Sequence, residues 1–321
     1  MGSTGHQVDI SYHQWMLQDE VRNDALAAMV EALVRPGDVV ADLGTGTGIL
    51  AVLARRAGAA RVYAVDASPI VRLARQMAAD NGVDGITFIE GDIAQVELPE
   101  PVDVAFSECL GNVAFGDAMF GALGTFARRW MKADGRLGPS QVRVLGQPMD
   151  ARLNWRPATF WQTPWRGLDL SAFAQGDSEV VRVIRAVPAF LYAEPQTLLA
   201  FDPWNRAETY DVSAEWTLGK DRVVNAVCAW FDVDWAPGVT MSTSAPSPET
   251  HWSQAMFPLP QREASAGDRL ELRIAIAFGE GEKPAYRWVG TWRSPDGTII
   301  ERHECKDFEH FGPSMDSDAS V

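Results

Sequence analysis

Two acidic side chains at the stems of one loop are the residues of this 321-residue sequence best placed for chemistry. Glu108 follows an apolar segment that ends at Ser107, and Asp117 starts the next apolar helical run. Two carboxylates that converge on one pocket suit a cationic ligand, because they can grip a planar guanidinium in a bidentate clamp. Carboxylates that hold its charge toward the other nitrogens leave one nitrogen with electron density to attack an electrophilic methyl group. The alternative is that Glu108 caps a turn and Asp117 caps the following helix.

A glycine-rich turn earlier in the chain indicates a cofactor site. Asp42–Gly48 reads DLGTGTG and opens an Ala- and Leu-rich helix. Backbone amides at such a turn can bind an anion, and the absence of a Cβ at Gly44 and Gly46 allows close approach. The next extended run ends at Asp66, where a carboxylate can accept hydrogen bonds from both hydroxyls of an adenosine ribose. NAD would also satisfy this pattern, so the turn alone leaves a dehydrogenase open.

The elements that position these residues follow from the alternation of extended and helical patterns. A helical pattern over Ser11–Leu33 precedes four short apolar runs, each followed by a turn or helix. The predicted strands are Asp38–Ala41, Arg61–Val65, Ile86–Ile89 and Val102–Phe106. Such an alternation favours an α/β fold with a doubly wound, mostly parallel Rossmann-like sheet, whose ligands bind at the carboxyl ends of its strands.

The second half has a different period. Leu270, Leu272, Ile274 and Ile276 alternate with other residues, which predicts an antiparallel barrel or sandwich. The Trp-rich segment 154–173 is either a core patch or an exposed arm that contacts a second copy. We therefore predict an N-terminal helical segment over 1–37, a Rossmann-like domain over 38–146, an antiparallel β-barrel domain over 147–305 with the inserted segment, and a disordered acidic tail over 306–321.

Composition limits the class of partner and the compartment. The 28 Lys and Arg against 43 Asp and Glu give a net charge of −15, which disfavours nucleic acid and favours cationic ligands. The three cysteines are far apart and form no CxxC pair, so neither a disulfide framework nor a metal site is expected, and a cytoplasmic location fits best. The longest run without charge, Trp235–Pro248, is too short for a membrane span.

The turn, with Asp42 two residues before its first glycine and with Asp92 closing the third strand, resembles the class I S-adenosylmethionine-dependent methyltransferases. This resemblance implies that the loop approaches the methionine part of S-adenosylmethionine and that Asp66 takes the ribose. It implies further that Asp92 or its neighbour Ile93 reads the adenine amine. Arg22, on the preceding helix, would pair with the cofactor's carboxylate.

Several separated motifs are similar to the protein arginine N-methyltransferase family over residues 8–300. The segment YHQWMLQDEVR matches the family's MLKDEVR, Glu108 and Asp117 have the spacing of its double-acid hairpin, and Thr250–Trp252 matches its THW loop. The resemblance implies an arginine N-methyltransferase, with protein-bound or free arginine as acceptor. It also implies that segment 154–173 is the dimerisation arm of a homodimer.

The resemblance also assigns roles to individual residues. Glu108 and Asp117 would clamp the substrate, and His13 would touch the methionine end of the cofactor. Asp19 and His251 would form a charge pair that ties the first helix to the barrel and holds the pocket shut or accepts a proton. The substrate pocket would be lined by Met16, Met119 and Trp252.

The chain departs from the family pattern at several positions. The second acid, Asp117, is one methylene shorter than the family's glutamate, and Ala94 stands where the family reads adenine with a glutamate. Asn112 replaces a common aromatic, and the tyrosine-rich start is absent. These departures leave open a methyltransferase of another small-molecule amine or hydroxyl in natural-product metabolism. A cofactor-binding scaffold dimer without turnover is the alternative from another class.

Overall fold

The computed structural model describes residues 10–114, 119–154, 160–161, 163–173, 180–278 and 285–308. Within these ranges, no helix has both the length and the apolar character needed to cross a membrane. The same ranges contain no group of three or more His, Cys, Asp and Glu side chains arranged to hold a metal ion.

Two helices, rather than the single predicted one, begin the described chain. Helix α1 covers Ile10–Gln18 and helix α2 covers Glu20–Leu33. Asp19 separates them because its backbone leaves the helical region and its side chain caps α2, accepting a hydrogen bond from the Arg22 amide at 2.9 Å. The ionisable side chain of Asp19 therefore lies at the junction between α1 and α2.

A five-stranded parallel sheet follows, which confirms the predicted Rossmann-like half. Strand β1 at its centre is buried throughout, and the strand order is β3-β2-β1-β4-β5. Its strands are β1 Val39–Leu43, β2 Arg61–Asp66, β3 Ile86–Glu90, β4 Val102–Ser107 and β5 Met131–Gly138. Its helices are α3 Ile49–Arg56, α4 Ile70–Asp80 and α5 Met119–Trp130. The parallel pairing brings the carboxyl ends of β1, β2 and β4 to one edge.

The second half is antiparallel, as predicted from its period of two. One sheet has the order β7-β12-β10-β6-β8, with β11 also paired to β10, and the other has the order β15-β14-β13-β9. The strands are β6 Gln141–Met149, β7 Arg182–Ile184, β8 Gln196–Phe201, β9 Thr209–Thr217, β10 Arg222–Ala236, β11 Val239–Ser242, β12 Gln254–Ala264, β13 Arg269–Ala277, β14 Ala285–Arg293 and β15 Ile299–Phe308. Closure of these two sheets into a barrel stays a prediction.

Two predicted boundaries need correction. The boundary between 146 and 147 falls inside β6, where Gly146 and Gln147 both pair with β10. The change from parallel to antiparallel pairing occurs between Gly138, the end of β5, and Gln141, the start of β6. The tail was predicted from residue 306, but β15 continues to Phe308 because its pairing with β14 extends that far. Residues 309–321 lie outside the described residues.

The Trp-rich segment is exposed where it is described. Trp165 and Leu168 form an antiparallel bridge and are 54% and 58% exposed. Phe160 and Phe173 are also exposed, and both pack against Trp161, with ring centroids 4.9 Å and 5.3 Å away. Within a single chain these side chains form no core patch, which contradicts that interpretation. Residues 155–159, which include Trp155, lie outside the described residues.

Candidate active site

Glu108 lies at the carboxyl edge of the parallel sheet, directly after β4. The preceding Ser107 hydroxyl donates a hydrogen bond to the Leu43 carbonyl at 2.7 Å, which ties the ends of β4 and β1 together. Because the glycine turn follows β1, this bond fixes Glu108 beside the turn. The Glu108 side chain is only 6% exposed. The fold therefore places a nearly buried acid where open α/β sheets bind their ligands.

Arg22 is the charged partner of Glu108. Its Nε donates to Glu108 Oε2 at 2.8 Å, and its Nη2 donates to the same oxygen. The other carboxylate oxygen, Oε1, accepts a hydrogen bond from the Leu110 amide at 3.0 Å. Arg22 was expected to face the carboxylate of a cofactor, and its contact with Glu108 was not foreseen. A guanidinium has five N–H donors, and the contacts to Glu108 and to Asn23 use three of them.

The predicted partners Asp19 and His251 are in contact. His251 Nδ1 and the His251 amide both lie 2.7 Å from Asp19 Oδ2, and both side chains are almost fully buried. Burial alone would favour the neutral acid. The hydrogen bonds from the His251 ring and from the backbone amides of Arg22 and His251 outweigh it, so the pKa of Asp19 is lowered. This contact joins the start of α2 to the loop before β12.

Trp252 connects the two halves of the chain. Its indole Nε1 donates to the Leu110 carbonyl at 2.7 Å, and the Asn112 side chain donates to the Trp252 carbonyl. The Arg22 Cζ atom lies 6.0 Å from the centroid of the Trp252 ring. Trp252 is thus a buried connector, while its predicted role as a pocket wall stays a prediction. Sequence reasoning treated Asn112 only as a lost aromatic wall, although a polar residue in that place was itself a signal.

The glycine turn has the backbone that its sequence predicts. Gly44 and Gly46 have φ values of +74° and +52°, which residues with a Cβ adopt only with strain. The Gly46 amide donates to Asp66 Oδ2 at 2.8 Å, and Asp66 Oδ1 accepts from the Ser68 amide and hydroxyl. His13 lies against the turn, since a Cβ added to Gly46 would be 3.3 Å from its Cε1 atom. The structure therefore brings Asp66 and His13 together at this turn.

Asp42 is fully buried beneath the same turn. Its Oδ2 accepts a hydrogen bond from the Thr45 hydroxyl at 2.6 Å. Burial raises the pKa of Asp42 to about 7, and the negative charge of Asp66 acts in the same direction, while hydrogen bonds from Thr45 and from the Ala51 amide oppose the rise. Asp42 was predicted to bind the cofactor, and its described contacts are with the Thr45 hydroxyl in the turn and with the Ala51 amide in the first turn of α3.

We expect the raised pKa of Asp42 to reduce stability as pH rises. Between its ordinary value of 3.8 and about 7, the folded chain retains a proton that the unfolded chain has lost, so the free energy of unfolding falls across this window. Asp42→Asn keeps the position uncharged and should remove a difference on the order of 4 kcal/mol between pH 4 and pH 8. Urea unfolding at several pH values measures it, and parallel curves for the two proteins would contradict the assignment.

The remaining predicted site residues are only partly accounted for. Asp92 is exposed and its Oδ1 accepts the Ala94 amide at 2.8 Å, while Ile93 is buried. Met16 is half-buried in α1, and its carbonyl accepts the Asp19 amide. Asp117 lies outside the described residues, and the side chain of Met119 is likewise not described. Of the two proposed clamp acids, only Glu108 therefore lies in the described part of the chain.

Comparisons with known proteins match both halves of the chain. Residues 40–135 match the model of a methyltransferase domain. Residues 159–285 match the arginine methyltransferase oligomerization subdomain. The histone-arginine methyltransferase CARMER of Drosophila persimilis is 32% identical over 271 residues, which are 78% of this chain and 50% of that protein. The chain thus spans about half the length of the curated relatives it matches.

Solved structures share the fold. An open conformation of protein arginine methyltransferase 10 from Arabidopsis thaliana has a TM-score of 0.82 at 24% identity, covering 93% of this chain and 97% of that one. A PRMT1 enzyme–prozyme heterotetrameric complex with AdoHcy from Trypanosoma brucei has a TM-score of 0.81 at 24% identity, covering 92% and 97%.

The fold and these matches together place the chain in a class of proteins with a methyltransferase domain followed by an arginine methyltransferase oligomerization subdomain. The chain belongs to the protein arginine N-methyltransferase family, as the motifs predicted.

Proposed function

We propose that this protein is an S-adenosylmethionine-dependent N-methyltransferase that acts on a guanidino nitrogen of arginine, either protein-bound or free. The observation that carries the proposal is the Glu108 carboxylate, held by Arg22 and by the Leu110 amide at the sheet edge beside the glycine turn. The similar curated relatives are histone-arginine methyltransferases, which supports the same acceptor group.

The residues at the turn fit S-adenosylmethionine. Arg22 has N–H groups beyond those used in its described contacts, and these can donate to a carboxylate. Gly44 and Gly46 present backbone without a Cβ, and His13 lies at their edge. Asp66 Oδ2 accepts one amide and keeps an acceptor position for a ribose hydroxyl. Asp92 and Ile93, with Asp42 below the turn, complete the proposed cofactor set. When bound, this cofactor supplies a methyl group on positively charged sulfur.

The charges of the site suit one cationic acceptor. Arg22 neutralises Glu108, so the pair together carries no net charge. Asp117, the proposed second acid, then supplies the single negative charge that balances an incoming guanidinium. Glu108, already oriented by its own contacts, would hold the acceptor nitrogens without having to reorganise. The reaction then depends mainly on how well the acceptor nitrogen is aligned. Asp19 and His251 would hold α2, and with it Arg22, in place.

The acceptor is tested with S-adenosylmethionine carrying a radiolabelled methyl group. We expect label on arginine, in a histone mixture, in free arginine or in both, and we expect S-adenosylhomocysteine but not NAD to bind in calorimetric titration. Label on neither form of arginine would contradict the proposal. Binding of S-adenosylhomocysteine without transfer to any acceptor would instead favour the scaffold alternative.

A small-molecule acceptor other than arginine is the second candidate. The shorter Asp117 favours it, because a glutamate's reach is lost by roughly 1.5 Å at the second acid. The same labelling assay with a panel of small amines and alcohols separates the two. Label confined to polypeptide arginine would remove this candidate.

We also propose that the chain forms a homodimer through the exposed segment that contains Trp165 and Leu168. Both side chains are more than half exposed in the single chain and lie within the region matched by the oligomerization subdomain. The double variant Trp165→Ser, Leu168→Ser should halve the mass measured by light scattering. Ile299→Ser, at a position 55% exposed in β15, is the control and should leave the mass unchanged. A wild-type monomer would contradict the proposal.

A cytoplasmic location stays a prediction from the cysteine pattern.

A further inference from the structure

The loop that carries Glu108 is joined to the antiparallel half by two hydrogen bonds that run in opposite directions. The Trp252 indole donates to the Leu110 carbonyl at 2.7 Å, and the Asn112 side-chain amide donates to the Trp252 carbonyl. Trp252 is 2% exposed and Asn112 is half-buried. Trp252 of the antiparallel half is therefore held at two points, its indole and its carbonyl, by the loop that carries Glu108.

The first route from Asn112 to Glu108 runs through Leu110. The Leu110 carbonyl accepts a hydrogen bond from the Trp252 indole, and the backbone amide of the same residue donates to Glu108 Oε1 at 3.0 Å. A shift of Trp252 would therefore move residue Leu110, and with it the amide that orients the Glu108 carboxylate. Asn112 opposes such a shift because it holds the Trp252 backbone.

The second route runs through the preceding residue, His251. Its ring and its amide both contact Asp19 at 2.7 Å. Asp19 caps the helix that carries Arg22, and Arg22 donates to Glu108. Both routes begin at the Trp252 loop and end at the same carboxylate, so displacement of that loop would disturb Glu108 from two sides.

We propose that Asn112 is a positioning residue that fixes Trp252 and thereby the orientation of Glu108. The inference rests on the proposed function, in which Glu108 holds the acceptor guanidinium. An amide side chain suits the position because it offers N–H donors without charge. Aspartate is similar in size but cannot donate when ionised, and alanine has neither donor nor acceptor.

The expected effect follows from the size of the displacement. A misplacement of about 1 Å can cost about a hundredfold in rate. Loss of one neutral hydrogen bond loosens the loop without releasing it, because the Trp252 indole bond to Leu110 remains. We therefore expect kcat to fall about tenfold in Asn112→Ala and in Asn112→Asp. Affinity for S-adenosylhomocysteine should stay within twofold, because Gly46 and Asp66 make no described contact with Asn112.

The test combines kinetics with amide hydrogen exchange over residues 108–114 in the full chain. Asn81→Ala is the matched control, since the Asn81 side-chain amide also donates to a backbone carbonyl, that of Met77 at 2.8 Å, but at the end of α4. We expect exchange in the loop to quicken about tenfold in both Asn112 variants and to be unchanged in the control.

Each result decides a separate point. Unchanged exchange in both Asn112 variants would overturn the proposal, and so would faster exchange with an unchanged kcat. A fall in kcat equalled in Asn81→Ala would show a general loss of stability and would also overturn it. If the wild-type protein methylates no arginine, the proposed function fails. Hydrogen exchange then still decides whether Asn112 fixes the loop.

Discussion

Glu108→Gln should lower kcat for methyl transfer to arginine about 10³-fold while S-adenosylhomocysteine still binds. Glutamine retains the shape of the side chain and an oxygen that accepts from Arg22, but it removes the negative charge that neutralises Arg22, so the site becomes more positive and repels the acceptor cation. Removal of a single preoriented group from such a site costs about 10²- to 10³-fold in kcat. Radiolabelled methyl transfer gives the rate, and calorimetric titration gives the affinity for S-adenosylhomocysteine.

A second glutamate provides a matched control for this variant. Glu100 is also paired with an arginine, Arg61, but both side chains are substantially exposed and lie away from the turn. Glu100→Gln should leave kcat within twofold, because an exposed ion pair contributes little to the fold. If Glu108→Gln retained wild-type turnover, Glu108 would not hold the acceptor, and the proposed mechanism would be wrong.

The parallel sheet and the turn were predictable because their signals are local. A buried strand such as Val39–Leu43 appears in the sequence as a short apolar run, and the glycines that follow it mark a backbone that other residues enter with strain. The predicted strands lie within the observed ones or end within a residue or two of them. Helix α1 was joined to α2 because Asp19 was assigned a distant partner but not a capping role.

Contacts between distant segments divide into two kinds. The contact of Asp19 with His251 was predicted, but from the family resemblance and not from any property of the two residues. The contact of Arg22 with Glu108 was missed, because the resemblance gave each of them a different ligand, the cofactor for Arg22 and the substrate for Glu108. Spacing along the chain carries no information on two side chains that are 86 positions apart.

Asn112 departs from the family pattern, and its hydrogen bond could not be inferred from that departure. From the sequence, Asn112 only removes an aromatic side chain that would line the pocket. The structure shows that the amide donates to the Trp252 carbonyl, so the same substitution supplies a new hydrogen bond. The donor could not be assigned to an acceptor before the loop that contains Trp252 was placed against it.

Replacing Asp19 should have the second-largest effect, because one carboxylate both caps α2 and binds His251. Asp19→Ala loses the cap, worth about 1 kcal/mol, and leaves His251 without a buried partner, worth about 3 kcal/mol. We expect a fall in Tm of roughly 6 to 12 °C and a fall in kcat of about a hundredfold, since Arg22 lies on the same helix. Thermal unfolding and the methyl-transfer assay measure the two effects.

Asp19→Asn separates the cap from the charge. Asparagine is as good an N-cap as aspartate, so this variant should keep the hydrogen bond from the Arg22 amide while it loses the negative charge beside His251. The pKa of Asp19 is lowered from 3.8, so its charge stabilises the fold above that pH, and this contribution is lost as pH falls through the lowered pKa. The stability difference between wild type and Asp19→Asn should therefore be full at pH 7 and shrink below about pH 4. A stability difference that is constant with pH would show that the Asp19 charge does not stabilise the fold. A kcat for Asp19→Asn equal to that of the wild type would show that the cap alone positions Arg22.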